Sequence, residues 1–401
     1  MYVGSILGSG ILVMPSIAAT IAGPASLVAW VLLALLSYPI GYTFGALAAA
    51  YPDAGGLSAF VKRGFGWTLG TIAGWIFVFS FFVGAPIVAI IVSHYILAAL
   101  SLPETLLYPI AFVFMGFTVL VNFFGLRIGS RTESAVLATV LILLFAVAAL
   151  ALPHVSFANL FPLAPNGWYA VGVVAVIIFW SYQGYENVPH MAEEFKNPGR
   201  DFQLSIIFSA AITGVLYALI SFVTIGTAVY VHQDTYAPIS IMFSQSIGAG
   251  APAVTLFLAL MLSFGTMNAY SIGTSRLVYA LARDRSLPAS LCSLNKHAAP
   301  ARALIVLFAG TSAALLIIAL LGPRLDQLFL VTGSGFIALY IMASASAVRL
   351  LKIRGLKRIF PYLTLVVSVV VFTFVREYAV FPFAIAGLSL LWVKVTRPNS
   401  S

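Results

Sequence analysis

The sequence predicts an all-α polytopic membrane protein, with twelve transmembrane helices forming one domain over residues 1–401. Three observations predict it. Of the 401 residues, 62% are hydrophobic and 8% are charged, against roughly 25% charged in ordinary soluble domains. A water-soluble globule of this size cannot hide so many apolar side chains. The apolar residues also fall in long unbroken runs, which disfavours the alternating pattern of a transmembrane β-barrel. Finally, the basic residues alternate from loop to loop as a twelve-span chain requires.

The runs lie at 1–22, 26–50, 67–100, 105–125, 132–152, 168–191, 203–231, 251–273, 301–321, 325–351, 359–375 and 379–393. Most approach the roughly 20 apolar residues needed to cross the hydrocarbon core. Residues 236–250 are apolar but interrupted, and read as an extracellular lid with one or two short helices.

The loop after span two carries Lys62 and Arg63, that after span four Arg127 and Arg131, and that after span six Lys196 and Arg200. Span eight is followed by Arg276, Arg283, Arg285, Lys296 and Arg302, and span ten by Arg349, Lys352, Arg354, Lys357 and Arg358. Lys394 and Arg397 lie in the tail, and only Arg324 and Arg376 lie in the odd-numbered loops. One wrong span would scramble this alternation, so both termini are expected in the cytoplasm. Trp30, Trp67, Trp168 and Trp392 stand near span ends, where interfacial anchors are expected. The net charge of +9 would suggest nucleic-acid binding in a soluble chain. Here the loop asymmetry accounts for it, and no nucleic-acid partner is expected. The single cysteine, Cys292, excludes an intramolecular disulfide and a thiol-based metal cluster.

Two spans are interrupted. Span one contains Gly8-Ser9-Gly10 near its middle, and glycine costs roughly 1 kcal/mol relative to alanine inside a helix. Alone, that pattern fits a small-residue packing face equally well. Span six decides between the readings. It carries Trp180-Ser181-Tyr182-Gln183-Gly184-Tyr185-Glu186, the most polar stretch inside any span. Spans one and six open two consecutive five-helix repeats, residues 1–152 and 168–351, with spans eleven and twelve, 359–393, outside them. Paired interruptions at equivalent positions point to a secondary transporter's substrate site. A half-helix N-terminus offers N–H groups to a carboxylate, and free carbonyls accept from an ammonium group. An α-amino acid zwitterion has both.

Glu186 is the only one of 11 acidic residues deep in a span. A buried carboxylate is costly unless paired or protonated, so it reads as a gate, a proton carrier or a strut for the break, in preference to a neutral structural residue. His190, Glu193 and Glu194 share a helical face, but Lys196 and Arg200 are nearby partners and no metal site is expected. No cofactor is expected either. Asn122 and Asn268 read as interhelical hydrogen bonders. His94, near the outer end of span three, reads as packed. Thr266 and Ser271 are weak candidates for a sodium site with span-one carbonyls.

Gly8-Ser9-Gly10-Ile11 resembles the G-[ST]-G-I signature of the amino acid–polyamine–organocation (APC) transporter superfamily. Residues 51–66, beginning Tyr51-Pro52-Asp53-Ala54-Gly55-Gly56, are similar to its first cytoplasmic loop. Residues 194–201 resemble its loop after span six, and 276–288 its loop after span eight. The stretch 179–201 is similar to bacterial exporters of methionine and branched-chain amino acids. The resemblance implies an inverted 5+5 repeat, the LeuT-like fold. It implies a substrate site including Ile6, Ser9, Gly10, Ile11, Phe179, Trp180, Ser181, Gln183 and Tyr270, with Trp180 covering substrate and Glu186 gating or coupling to protons. Two departures argue against a charged substrate side chain. Span five lacks the lysine that replaces sodium in some proton-coupled members, and the middle of span three has no acid or amide.

The expected function is therefore secondary active transport of neutral, apolar amino acids across the cytoplasmic membrane by alternating access, as exporter, antiporter or proton-coupled permease. Expected partners are the amino acid, membrane lipids and a coupling proton or sodium ion, in a monomer or homodimer. The alternative is a channel or lipid-binding receptor, but no ring of pore charge or repeated filter is visible. An enzyme would need a convergent nucleophile and base, which the chain lacks. Finally, seven residues before Gly8 span about 10 Å, short of half a bilayer. This predicts a helical, basic lead-in before Met1 in the native protein.

Overall fold

The computed structural model describes residues 7–53, 55–125, 130–187, 198–231 and 237–396. Among them there are helices and no strands. Every backbone polar group in hydrocarbon needs an internal partner, and helices supply it.

The described residues form fourteen α-helices in chain order: α1 (Met14–Ala22), α2 (Ser26–Ala50), α3 (Gly56–Phe65), α4 (Trp67–Leu100), α5 (Leu107–Phe123), α6 (Ser130–Ala151), α7 (Tyr169–Phe179), α8 (Pro198–Gly226), α9 (Pro238–Ile247), α10 (Ala251–Arg283), α11 (Ala301–Leu321), α12 (Leu325–Leu350), α13 (Ile359–Phe372) and α14 (Val380–Thr396). Nine described helical stretches are long and apolar enough to cross a membrane. The difference from twelve runs has physical causes. Runs one and two join as 14–50, turning at Gly23 and Pro24. Run six is no single helix because it breaks after α7. Run eleven, α13, is 14 residues long. The segment before α10 forms the short helix α9, as expected, and α9 packs on α10 and α6.

At the centre stands α4, whose 34 residues span about 51 Å. Of its most apolar window 83% is buried, against 17% for the last helix. Thus α4 belongs to the protein core and α14 faces lipid. α2 packs along α8, α4 along α10, α5 along α11, and the start of span one along the break of span six. α12 closes the core against α4 and α7.

The cation-bearing connections after α2, α10 and α12 meet at one end of the bundle. Lys62 Nζ donates to Asp284 Oδ2 at 2.6 Å. Arg63 lies over the Tyr51 ring, the Tyr51 hydroxyl donates to the Leu350 carbonyl, and Arg349 lies over Phe65. Trp30 departs from expectation. It is fully buried, with its ring 5.4 Å from that of Tyr217. Nearness to a span end gives depth, but the face of α2 that carries Trp30 points into the bundle.

Candidate functional site

Span one is not helical at its middle. Gly8 is extended, Ser9–Leu12 forms a 3-10 turn, and α1 begins only at Met14. The half-helix therefore starts inside the protein, with its N–H donors and positive dipole end there. Two contacts fix it. The Ser9 N–H donates to Thr266 Oγ1 of α10 at 3.3 Å, and Tyr95 of α4 donates its hydroxyl to the Leu12 carbonyl at 2.9 Å.

Span six breaks at the same level. Helix α7 ends at Phe179, Trp180–Tyr182 tighten into a 3-10 turn, and Gln183 is extended. Gly184 has φ +120°, a conformation that residues with a side chain rarely adopt. The 3-10 turn takes up the last α7 carbonyls: the Trp180 N–H reaches those of Ile177 and Ile178, and the Gln183 N–H donates to the Trp180 carbonyl at 3.2 Å. The two breaks touch: a Cβ added to Gly10 would stand 2.9 Å from Ser181 Oγ and 3.3 Å from Trp180 Cδ1. The donor end of one half-helix thus lies against the acceptor end of the other.

Glu186 sits just past the span-six break, fully buried. Its Oε2 accepts from the Gly184 N–H at 2.9 Å and from the Tyr340 hydroxyl. Its Oε1 accepts from the Tyr270 hydroxyl at 2.7 Å. One carboxyl group thus ties the break to α10 and α12 at once.

Beside the breaks lies a cavity enclosing about 290 Å³ of non-atom space. Ser80, Phe81, Gly84, Ala85 and Val88 of α4, Trp180, Thr266, Met267 and Tyr270 of α10, and Phe336 of α12 line it. A water-sized sphere finds about 20 Å³ of room in it, about one water, so the side chains lie close together there. Its walls are largely apolar, and none of its lining residues is charged. Trp180 crosses it, with its ring centroid 5.7 Å from that of Phe329 and 6.1 Å from that of Phe336. A Cβ on Gly84 would meet the indole at 2.7 Å, so the glycine makes room for that ring. Among the described residues, the buried atoms Ser9 Oγ, Ser80 Oγ and Gln183 Nε2 have no hydrogen-bond partner. Such atoms cost about 1–3 kcal/mol each when left unsatisfied.

Of the residues singled out from sequence, Trp180 and Tyr270 line the cavity, and Ser9, Gly10, Ile11 and Ser181 are buried at the breaks. The Ser181 hydroxyl points to Met14 Sδ at 2.9 Å. Phe179 is buried against Tyr340, at 5.1 Å between ring centroids, and is not among the residues that line the cavity. Ile6, His190, Glu193 and Glu194 lie outside the described residues. No group of three metal-ligating side chains occurs among the described residues. Thr266 and Ser271 are not brought together. Five residues turn a helix by about 140° past a full turn, and Ser271 lines an adjoining crevice with Met115 and Leu304 that shares Phe81, Ala85 and Met267 with the cavity. Asn122 Nδ2 donates to Asn268 Oδ1 at 2.9 Å, joining α5 to α10 as the interhelical reading expects.

Sequence reasoning missed Tyr340, Tyr95 and Gly84. A tyrosine at mid-span, far from the interface where such rings gather, is the same signal that marks Trp180.

The model of a family described as amino acid permease matches residues 1–396. The chain is 33% identical over 395 residues to the "Uncharacterized amino acid permease YecA" of Bacillus subtilis (strain 168), covering 98% of this chain and 93% of that one. It is 30% identical over 361 residues to the "L-methionine/branched-chain amino acid exporter YjeH" of Escherichia coli (strain K12), covering 87% and 83%. It is 26% identical over 372 residues to the "Branched-chain amino acid permease BcaP" of Bacillus subtilis (strain 168), covering 87% and 78%. These are transporters, not enzymes. The chain belongs to the amino acid permease family of the APC superfamily.

Proposed function

We propose that the chain is a secondary active transporter of neutral, apolar amino acids, working by alternating access around the two breaks. The observation that carries this is their juxtaposition. The amide end at Ser9–Ile11 meets the carbonyl end at Trp180–Tyr182 beside an uncharged cavity. The first suits a carboxylate, the second an ammonium group, and the cavity an apolar side chain. Ser9 Oγ and Gln183 Nε2 are further polar atoms for the ligand to satisfy. The deep carboxylate Glu186 already accepts three hydrogen bonds, which leaves it poorly placed to pair a cationic side chain. Two relatives are named for methionine or branched-chain substrates, which agrees.

Trp180 is the lid over substrate in this reading, and Glu186 with Tyr270 and Tyr340 is the gate. A twelve-span topology with two inverted repeats also belongs to the proposal. Its support is the pairing of equivalent spans: one with six, two with seven, three with eight, four with nine. A five-span repeat enters its second copy from the opposite side, and contact between equivalents is what a two-fold axis in the membrane plane produces. The concentration of basic residues in alternate loops supports cytoplasmic termini.

The test is a counterflow panel in proteoliposomes. Leucine, isoleucine, valine and methionine exchange with each other, whereas arginine and polyamines do not compete. Repeating the assay with imposed pH and sodium gradients separates exchange from proton and sodium coupling.

A further inference from the structure

We infer that the cleft between α12 and α13 binds the phosphate headgroup of an anionic phospholipid, with an acyl chain lying along α13. The inference does not depend on which substrate is carried. The chain between the two helices folds around a cleft of about 380 Å³. Lys352, Arg354 and Arg358 line it together with the apolar side chains of Leu351, Ile353 and Tyr362. None of these three cations has a carboxylate within 4.0 Å among the described residues, where the ion pairs are those of Lys62, Arg63, Arg324 and Arg376. The neighbouring cations are differently engaged: Arg349 lies over the Phe65 ring and Lys357 over the Tyr42 ring. Three basic groups therefore line one cleft with no carboxylate among the described residues in ion-pair reach of them.

The apolar half of the site is also present. The cleft lies where α12 ends and α13 begins, at the boundary of two spans and hence at headgroup depth. From there Tyr362, Val366 and Val369 are exposed at 44%, 58% and 45%. Their spacing of four and three residues makes a continuous stripe down one face of α13. In a bilayer that stripe faces lipid. A ligand with a phosphate and a hydrocarbon chain matches both halves, and a free phosphate matches only the first. Basic pockets between transmembrane helices at headgroup depth bind anionic lipid heads in this way.

The experiment is native mass spectrometry of the whole purified protein, titrated with phosphatidylglycerol or with phosphatidylcholine of the same chains. Wild type is expected to retain phosphatidylglycerol and not phosphatidylcholine. Each cation near a headgroup contributes roughly fivefold, so K352Q/R354Q/R358Q is expected to lose on the order of a hundredfold in affinity at low ionic strength. K394Q, outside the cleft, should bind as wild type does. If the triple variant fails to fold, lipid discrimination by wild type and competition by soluble glycerol 1-phosphate carry the test. Equal retention of phosphatidylcholine, unchanged affinity in a folded triple variant, or an equal loss in K394Q would overturn the inference. So would displacement by glycerol 1-phosphate at the concentrations at which the lipid binds, which would mark a soluble phosphate as the ligand.

Discussion

A carboxyl group with no exposure holds three donors from three elements: Gly184 on the span-six break, Tyr270 on α10 and Tyr340 on α12. Such a node is stable only while those elements keep their relative positions, which is what the proposed gating role requires. Tyr340→Phe removes one donor, worth about 1–3 kcal/mol to the state that makes it, and a change in turnover of roughly five- to a hundredfold is expected. Glu186→Ala should insert and fold yet turn over more slowly. Counterflow rates across pH, beside thermal unfolding in detergent, check both, and wild-type rates in both variants would remove the node from the mechanism. Trp180 rests on Gly84 and fills one wall of the cavity. Trp180→Ala is expected to weaken substrate binding in equilibrium titration. Gly84→Ala, which forces the indole outward, should also weaken it, against a packing cost of about 1–3 kcal/mol. Unchanged affinity in both would return Trp180 to ordinary packing.

At the scale of elements, hydrogen bonds across the bundle hold the two breaks. The Thr266 and Tyr95 hydroxyls hold span one, and the Glu186 carboxyl, the Tyr182 hydroxyl on the Trp30 carbonyl and the conformation of Gly184 hold span six. Gly184→Ala places a side chain at φ +120°, costing about 1–3 kcal/mol. A lower unfolding temperature and slower transport are expected, and an unshifted melt would show that the break tolerates a side chain. Thr266→Val leaves the Ser9 N–H without its acceptor and should impair transport more than stability, a split read by the same two assays. The breaks were legible in sequence because glycine and polar residues are costly inside an apolar helix. The Glu186 node was legible only in part. The carboxylate stood out, but Tyr340 lies 154 residues further on and only folding brings it within reach. Trp30 was misread for a related reason: position along a span gives depth but not the face that packs inward. Asn122 and Asn268 were legible as interhelical hydrogen bonders, and folding pairs them with each other. Phe179, named through resemblance, packs on Tyr340 and not on the cavity, because one residue turns a helix by about 100°.

For the whole molecule, the proposed alternating access requires that two repeats rock about a site which neither completes alone. Its topology has a direct check in the native cysteine. Cys292 is partly accessible in the connection between α10 and α11, the loop the charge distribution assigns to the cytoplasm. A membrane-impermeant maleimide is expected to label it only after cells are permeabilised, and labelling of intact cells would reverse the orientation. The proposed apolar substrate class rests on a cavity lining without charge and on a Glu186 held by hydrogen bonds from the protein. The most direct measurement of the central claim is therefore counterflow of radiolabelled leucine in proteoliposomes, with unlabelled amino acids trapped inside. Methionine, isoleucine and valine inside should drive leucine uptake while arginine and putrescine do not. Exchange of arginine or putrescine without exchange of leucine or methionine would contradict it.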